Sequence, residues 1–537
     1  MSFPQPKAVA LKDALAHHED YDLSIVVSAS LSSNQFEDLE EALLEAQRTD
    51  PRIGKRPSLV SHAKMPGGRC LHVPIGELAR DYDDVRRFFD MGKAIAEVLS
   101  EVDAINPLLI LDQTEWPTHK ANAYQFALEN VYLGICQQLW QPLEARQNSG
   151  AEGAFDTNVL ETVHAIALVG IGERRATQLA ALESGKRVAR DLCGTEPERM
   201  APIGFANYCE TVFKNSPVQL DVISDLHTLK TDYPCLHAVA RASLAVERHH
   251  PRVITLRYDS GKVHGEQDSE LVQTLFLAGK GITYDTGGAD LKVNGHMAGM
   301  SRDKGGAAAV AGFMKTIAQL KPKGIKVVAS IAAVRNSIGA DAYVPDEIIT
   351  SHAGVRVRVG NTDAEGRMVL TDILSHMREE ALGSASPQIF SIATLTGHAA
   401  IAFGPYTALL ENQVAINQSV SANLIDAGER WSDPCEQSRV RREDYDFIKP
   451  KTKADDVLSS NNAPSVSTVR GHQFPMAFLS IASGLDKHNI DSDKPLPYTH
   501  VDIAGSGVEG LNWQHGKPTA APVAAFFATY ILPQLEK

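Results

Sequence analysis

The sequence predicts an α/β protein of two domains, a smaller N-terminal α/β domain and a larger C-terminal domain with a mostly parallel sheet covered by helices. Three observations carry this: short β-branched runs early in the chain, a strand-helix-strand rhythm from residue 271 onward, and a length of 537 residues, several times that of a minimal domain. In the first part, apolar runs at 24–31, 107–111 and 164–169 read as strands with helical stretches between them. A Gly, Asn and Ser-rich segment, 147–156, reads as a loop. Over 173–193, Leu179, Leu182, Val188 and Leu192 fall on roughly helical spacing and Pro197 follows as a stop. This segment, within 171–200, is expected to connect an N-terminal domain, 1–170, to a C-terminal domain, 201–537.

The second part is more regular. Strands are predicted at 271–277, 325–334, 355–359 and 388–395, and helices at 304–320 and 365–382. In the first helix Val310, Phe313, Met314, Ile317 and Leu320 form one apolar stripe, and Pro322 ends it. Leu370, Ile373, Leu374 and Met377 do the same in the second, with Gly383 at the expected C′ position. Strands alternating with helices imply parallel pairing with both faces covered.

Composition narrows the function classes. Hydrophobic residues at 43% and charged residues at 22% suit a folded, water-soluble protein. A formal net charge of −14 opposes a phosphate backbone, so nucleic acid is not an expected partner. The six cysteines form no CxxC pair and read as reduced thiols. No secretory h-region and no membrane-length apolar run is seen, which makes the cytoplasm the expected location and excludes a membrane partner.

Two connections are unusually long. About 25 residues, 279–303, separate a strand from its helix where compact α/β units spend ~2–6, and 335–354 is the second. The first begins Gly279-Lys280-Gly281-Ile282-Thr283-Tyr284-Asp285-Thr286-Gly287-Gly288 and closes on Arg302-Asp303-Lys304-Gly305-Gly306. Its glycines can wrap backbone closely around a small ligand or ion, or simply make turns. The heptapeptide Asn361-Thr362-Asp363-Ala364-Glu365-Gly366-Arg367 lies between a strand and a helix. At a strand end, residues two apart share a face, so Asp363 and Glu365 can converge; capping of the helix by Asp363 is the alternative. No HExxH, GxSxG or GxxxxGK[ST] pattern is present.

Together, residues 279–288, 302–306 and 361–367 with Ala393-Thr394-Leu395-Thr396-Gly397 closely resemble the leucyl (cytosol) aminopeptidase family of dizinc peptidases, over roughly 173–537. The resemblance implies a catalytic metallopeptidase domain hydrolysing the N-terminal residue from peptides with a free amino terminus. It implies Asp285, Asp363 and Glu365 as ligands of one divalent ion and Lys280, Asp285, Asp303 and Glu365 as ligands of the other, with zinc expected and manganese or magnesium as alternatives at one site. Lys280 would bind as the neutral amine. Lys292 would stabilise the oxyanion, and Arg367 would hold bicarbonate as proton shuttle. Met300, Thr394, Leu395, Gly397 and Ala504 would line the substrate pocket, and the assembly would be a homohexamer.

Departures from the family pattern bear on specificity. Gly507 stands where a bulky apolar residue is common, which predicts a roomier pocket. His296, Arg335 and His398 are unusual at their positions, and none is an expected ligand.

Overall fold

Two α/β units carry the chain, one comprising Met1–Ser184 with Glu429–Ser432 and the other Gly185–Gly428 with Asp433–Lys537. The structure is a computed structural model that describes residues 3–31, 37–113, 116–147, 161–265, 271–463 and 468–536. Of the expected loop 147–156, only Gln147 lies within the described residues, and it ends the helix Leu143–Gln147.

The first unit is built on a six-stranded sheet in the order Gln5–Val9, Ala165–Val169, Leu108–Leu111, Ser24–Ser28, Arg69–Pro74, Ser58–Ser61. All pairings are parallel except the last, which is antiparallel. The three inner strands expected from their apolar runs are present, trimmed at their ends. The two edge strands escape the pattern because only one of their faces is covered, so Gln5 and Lys7 stay exposed on one and Leu59 and Ser61 on the other.

In the second unit an eight-stranded sheet runs Cys435–Ser438, Thr407–Glu411, Tyr498–Asp502, Pro387–Ala393, Gln273–Asp285, Ile325–Asn336, Arg252–Asp259, Gln219–Ile223. Its four central strands are parallel, and antiparallel pairs flank them on both sides. Helices Gly305–Leu320 and Glu365–Ala381 bury the apolar stripes expected of them. The segment expected as a further strand of this sheet belongs elsewhere. Arg356–Arg358 pairs with Ile348–Thr350 and Val457–Leu458 in a separate three-stranded sheet. With an arginine on either side of Val357 it has one buried residue, too little apolar surface for a central strand.

The strand expected to stop at 277 instead continues to Asp285, straight through the glycine-rich segment. Gly279 and Gly281 serve close packing within the strand, whereas Gly287 and Gly288 lie past its end with positive φ, at 88° and 68°. A Cβ at Gly279 would stand 2.8 Å from Ala307 Cα, and one at Gly281 would stand 3.1 Å from Ala307 Cβ and 2.6 Å from the carbonyl oxygen of Ala332 on the adjacent strand, so glycine lets helix Gly305–Leu320 close on this face. Because successive strand side chains alternate, Lys280 points to the opposite face, under Gly366 in the first turn of Glu365–Ala381. A Cβ on Gly366 would lie 2.5 Å from Lys280 Cε. The two helices thus cover opposite faces of one strand.

All six cysteines are buried, and none is in a disulfide. Among the described residues, no helix is long and apolar enough to cross a membrane.

Gly306 faces the neighbouring strand so closely that a methyl group would collide with the backbone carbonyl of Ile392. Gly306→Ala is therefore expected to destabilise the second unit by about 1–3 kcal/mol, read as a lower urea midpoint. An unchanged midpoint would show that the helix can retreat from the sheet without cost.

Candidate metal centre

Lys280 and Asp285 are five positions apart on one strand, which in a regular strand would send their side chains to opposite faces. The register with Ile325–Asn336 shows why they meet. Ile282 pairs with Val334, but Tyr284, not Thr283, pairs with Arg335, so one extra residue is inserted and the alternation shifts by one. This bulge re-aims Asp285 onto the Lys280 side. The remaining acids come from loop ends. Asp303 follows the 3-10 turn Met300–Arg302, Asp363 sits in the 3-10 turn Thr362–Ala364, and Glu365 opens the helix Glu365–Ala381.

This corrects two sequence expectations. Asp363 and Glu365 are not on a strand end, so two-residue alternation does not bring them together. Nor does Asp363 cap the helix: Asn361 accepts the Asp363 backbone N–H at 2.7 Å.

Two lysines divide the four acids. Lys280 Nζ lies 2.8 Å from Asp303 Oδ1, 2.9 Å from Glu365 Oε1 and 2.8 Å from the Thr394 carbonyl oxygen. Lys292 Nζ lies 2.9 Å from Asp285 Oδ2 and pairs with Asp363 Oδ1. Carboxylate oxygens of Asp285, Asp303 and Glu365 lie within 4.8 Å of one another. Asp363 is outside that trio and joins the site through Lys292.

The titration behaviour follows from burial and crowding. Burial, reinforced by the neighbouring carboxylates, lifts Asp363 to about 7, with Asp285 the main neighbour. Asp303 is likewise raised, by burial first and then by Glu365 and Asp285. Burial would also raise Asp285, but Lys292 and Lys280 together hold it below the usual value. Burial works against the charge on Lys280 and Lys292, yet their carboxylate partners keep both ammonium groups above the ordinary lysine value.

These residues suit divalent cations. Asp303 Oδ2 is buried without a hydrogen-bond partner among the described residues, an orphaned acceptor that a cation would satisfy. Converging carboxylate oxygens beside an amine nitrogen match the oxygen and nitrogen donors such ions take.

A surrounding shell holds the acids, and most of it went unseen in the sequence. Asn336 Nδ2 donates to Asp285 Oδ1 at 2.8 Å and to the Thr362 carbonyl at 3.2 Å, and Tyr343 OH donates to the same carbonyl at 2.7 Å. Asp290 and Thr362 stitch the two motif loops: the Asp290 N–H reaches Thr362 Oγ1 at 2.8 Å and the Thr362 N–H reaches Asp290 Oδ2 at 2.7 Å. Asp502 Oδ1 accepts the N–H groups of Leu395 and Ala504, both at 3.1 Å, and Thr396 Oγ1 donates to its Oδ2 at 2.6 Å. Asn336 and Tyr343 stand in the second long connection, which was the available signal; Asp502 had none beyond its place at the end of a strand.

The expected pocket residues fall around this shell. Thr394 Oγ1 donates to Asp303 Oδ1 at 2.8 Å, so this residue orients an acid as well as bordering it. Leu395 and Ala504 share the Asp502 carboxylate, Met300 is half-buried in the turn before Asp303, and Gly397 is exposed at the start of helix Gly397–Phe403. A Cβ at Gly507 would lie 3.4 Å from Thr394 Cγ2. Arg367 is buried, donates from Nη1 to the Ser459 carbonyl at 2.7 Å and lies 5.0 Å from the centroid of the Phe474 ring; its Nε has no partner among the described residues. Burial draws its pKa down to about 10, which leaves it cationic at neutral pH. Arg335 lies over the Tyr284 ring and reaches Glu198. Neither His296 nor His398 joins a group of converging ligand atoms among the described residues.

A family model described as the catalytic domain of the cytosol aminopeptidase family, peptidase M17, matches residues 187–527. A Caenorhabditis elegans protein provisionally named an aminopeptidase is 36% identical over 473 residues, covering 88% of this chain and 87% of that protein. An Aquifex aeolicus protein provisionally named a cytosol aminopeptidase is 31% identical over 342 residues, covering 63% of this chain and 62% of that one. In fold, the chain is similar to a tomato leucine aminopeptidase variant, with TM-score 0.76 at 20% identity over 100% of this chain and 97% of that one. It is also similar to the bottromycin maturation enzyme BotP in complex with Mn, with TM-score 0.71 at 21% identity over 95% and 98%.

Asn336→Ala leaves Asp285 without its amide donor. Divalent-metal affinity is expected to fall by about 10–100-fold with the fold intact, measured by competition with a chelating indicator. Wild-type affinity in this variant would show that Asn336 does not position Asp285 for a cation.

Proposed function

Because the chain belongs to the cytosol aminopeptidase family of metal-dependent peptidases, we propose that it removes N-terminal residues from peptides using two divalent ions held by Lys280, Asp285, Asp303, Asp363 and Glu365. The observation that carries this reading is the buried meeting of Lys280 with Asp303 and Glu365, beside Asp285. In this reading Asp285, Asp363 and Glu365 would hold one ion, and Lys280, Asp285, Asp303 and Glu365 would hold the other. Zinc at both positions, with manganese or magnesium as alternatives at one, a homohexameric assembly and a cytoplasmic location belong to the same reading.

Bound there, the ions supply Lewis acidity toward the substrate's amino group and scissile carbonyl and make a water nucleophilic near neutral pH. The rest falls to the chain. Thr394 and Asn336 fix the carboxylates of Asp303 and Asp285 by donating to them. Lys292, whose ammonium already lies within the cage of acids, is the fixed positive donor for charge developing on the carbonyl oxygen. Arg367 keeps its proton, so it is suited to hold a small anion such as bicarbonate that relays one. The backbone N–H groups of Leu395, Thr396 and Ala504 converge on Asp502 and shape the wall beside Asp303, where the first side chain of the substrate would rest. Gly507 packs close to this wall, where a Cβ would stand 3.0 Å from the Ile503 carbonyl oxygen and 3.4 Å from Thr394 Cγ2; the roomier pocket expected from this glycine belongs to the same reading.

A panel of aminoacyl anilides tests the activity. Turnover is expected with a free α-amino group, is lost on chelation and returns with Zn²⁺ or Mn²⁺. Asp303→Ala should lose one ion and most activity, and Lys292→Gln should lose about 10²–10³-fold in kcat. Stoichiometric metal without turnover on any member would instead leave an oligomeric binding scaffold, and full activity in Asp303→Ala would overturn the residue assignment.

Metal affinity should also depend on pH in a defined direction. An ammonium cannot coordinate, and Lys280 holds its proton above the ordinary lysine value, so binding must expel a proton. Asp363 near 7 and the raised Asp303 act with the same sign. Zn²⁺ affinity is expected to rise by at least about tenfold per pH unit through neutrality. A flat profile in competition titrations would exclude ligation by the neutral amine.

A further inference from the structure

His352, His376 and Glu379 form a second group of metal-ligating side chains among the described residues, apart from the acids above, with ligand atoms within 4.8 Å of one another. His376 and Glu379 are three residues apart on helix Glu365–Ala381 and so share a face. His352 comes from the turn between Ile348–Thr350 and Arg356–Arg358. Its ring stacks on that of His376 with centroids 3.7 Å apart and planes 29° apart.

The hydrogen bonds of the two rings leave one nitrogen free on each. His376 Nε2 lies 3.0 Å from the Asp232 carbonyl oxygen. A carbonyl only accepts, so Nε2 carries the proton and Nδ1 of the neutral ring presents its lone pair. His352 Nδ1 lies 2.9 Å from Ser375 Oγ, which leaves Nε2 open. The turn is itself anchored, since the His352 backbone N–H donates to Asp372 Oδ1 at 2.9 Å. A distal nitrogen held by a carbonyl or other polar group is how proteins orient a metal-binding imidazole. Glu379, whose side chain is exposed, pairs with the half-buried Arg378 at 2.8 Å, a contact between sequence neighbours that a divalent ion can displace.

We propose that His352 Nε2, His376 Nδ1 and a Glu379 carboxylate oxygen form a separate site for a divalent transition metal, with Zn²⁺ as the best-matched ion. Two imidazoles and a carboxylate are donors that zinc favours, with water able to complete the shell. The ion would clamp the 351–354 turn to the helix whose first turn presents Glu365 and Arg367, about three turns away. Its role is to steady that helix. It stands independently of the peptidase reading, because it rests on none of the residues of the first centre.

The test is Zn²⁺ uptake by the full-length protein after chelator stripping, by equilibrium dialysis and titration calorimetry, for wild type, His376→Ala and Glu379→Gln. Wild type is expected to bind one ion more per chain than His376→Ala. Zn²⁺ should bind this extra site at least about tenfold more weakly in Glu379→Gln. Co²⁺ added to wild type should give an additional visible band that His376→Ala lacks. Equal uptake by wild type and both variants would overturn the proposal and assign the stacked rings to packing. Should His376→Ala fail to fold, the exposed Glu379→Gln decides alone, unchanged affinity at every site being the overturning result. The comparison is a difference between chains sharing the same first centre, so inactivity of that centre toward peptides would leave the result readable.

Discussion

Everything in the second unit is organised around keeping ionised groups buried together. Four carboxylates brought out of water would repel one another and forfeit hydration, and such burial is tolerated only where charges are paired and hydrogen-bonded. Lys280 and Lys292 provide the opposite charge, each joined to two acids. Asn336 and Thr394 satisfy further oxygens. The balance is incomplete by design of the residues present: Asp303 keeps an orphaned oxygen and Asp363 is pushed to about 7. A site whose own charges only partly cancel is one that a cation can complete.

That electrostatic demand explains the backbone. Lys280 reaches its partners because glycine at 366 leaves room for its stem, and its strand sits deep enough because glycines at 279 and 281 admit a helix on the other face. Asp285 turns toward the same centre because of the inserted residue opposite Val334 and Arg335. Remove the bulge and the acid would face the wrong helix. Gly279 and Gly281, which read as loop residues, are therefore spacers in a close-packed strand, and the candidate site lies toward the carboxyl ends of parallel strands, where open α/β sheets place their ligands.

The helix Glu365–Ala381 links the two places where ligand atoms gather. Its first turn carries Glu365 and Arg367, and its later turns carry His376 and Glu379. Asp372, buried between them, accepts from Cys235, Leu236 and His352 backbone N–H groups. The helix is thus tied to the loop elements around it along most of its length, which gives a rigid mount for side chains that must be held to within fractions of an ångström.

What the sequence determined alone were features set by neighbours along the chain. The apolar stripes of the two long helices depend only on local spacing, and both formed with ends within a residue or so of expectation. The motif at 361–367, read with the glycine-rich segment, identified the family and named the residues that the fold brings together. Tertiary structure alone decided the strand running on to Asp285, the bulge that aims it, the transfer of Arg356–Arg358 to a small separate sheet, and the supporting roles of Asn336, Tyr343 and Asp502. Each of these depends on a partner distant in sequence: strand register, helix approach and buried hydrogen bonds are settled by what arrives across the sheet, and no local pattern encodes that arrival.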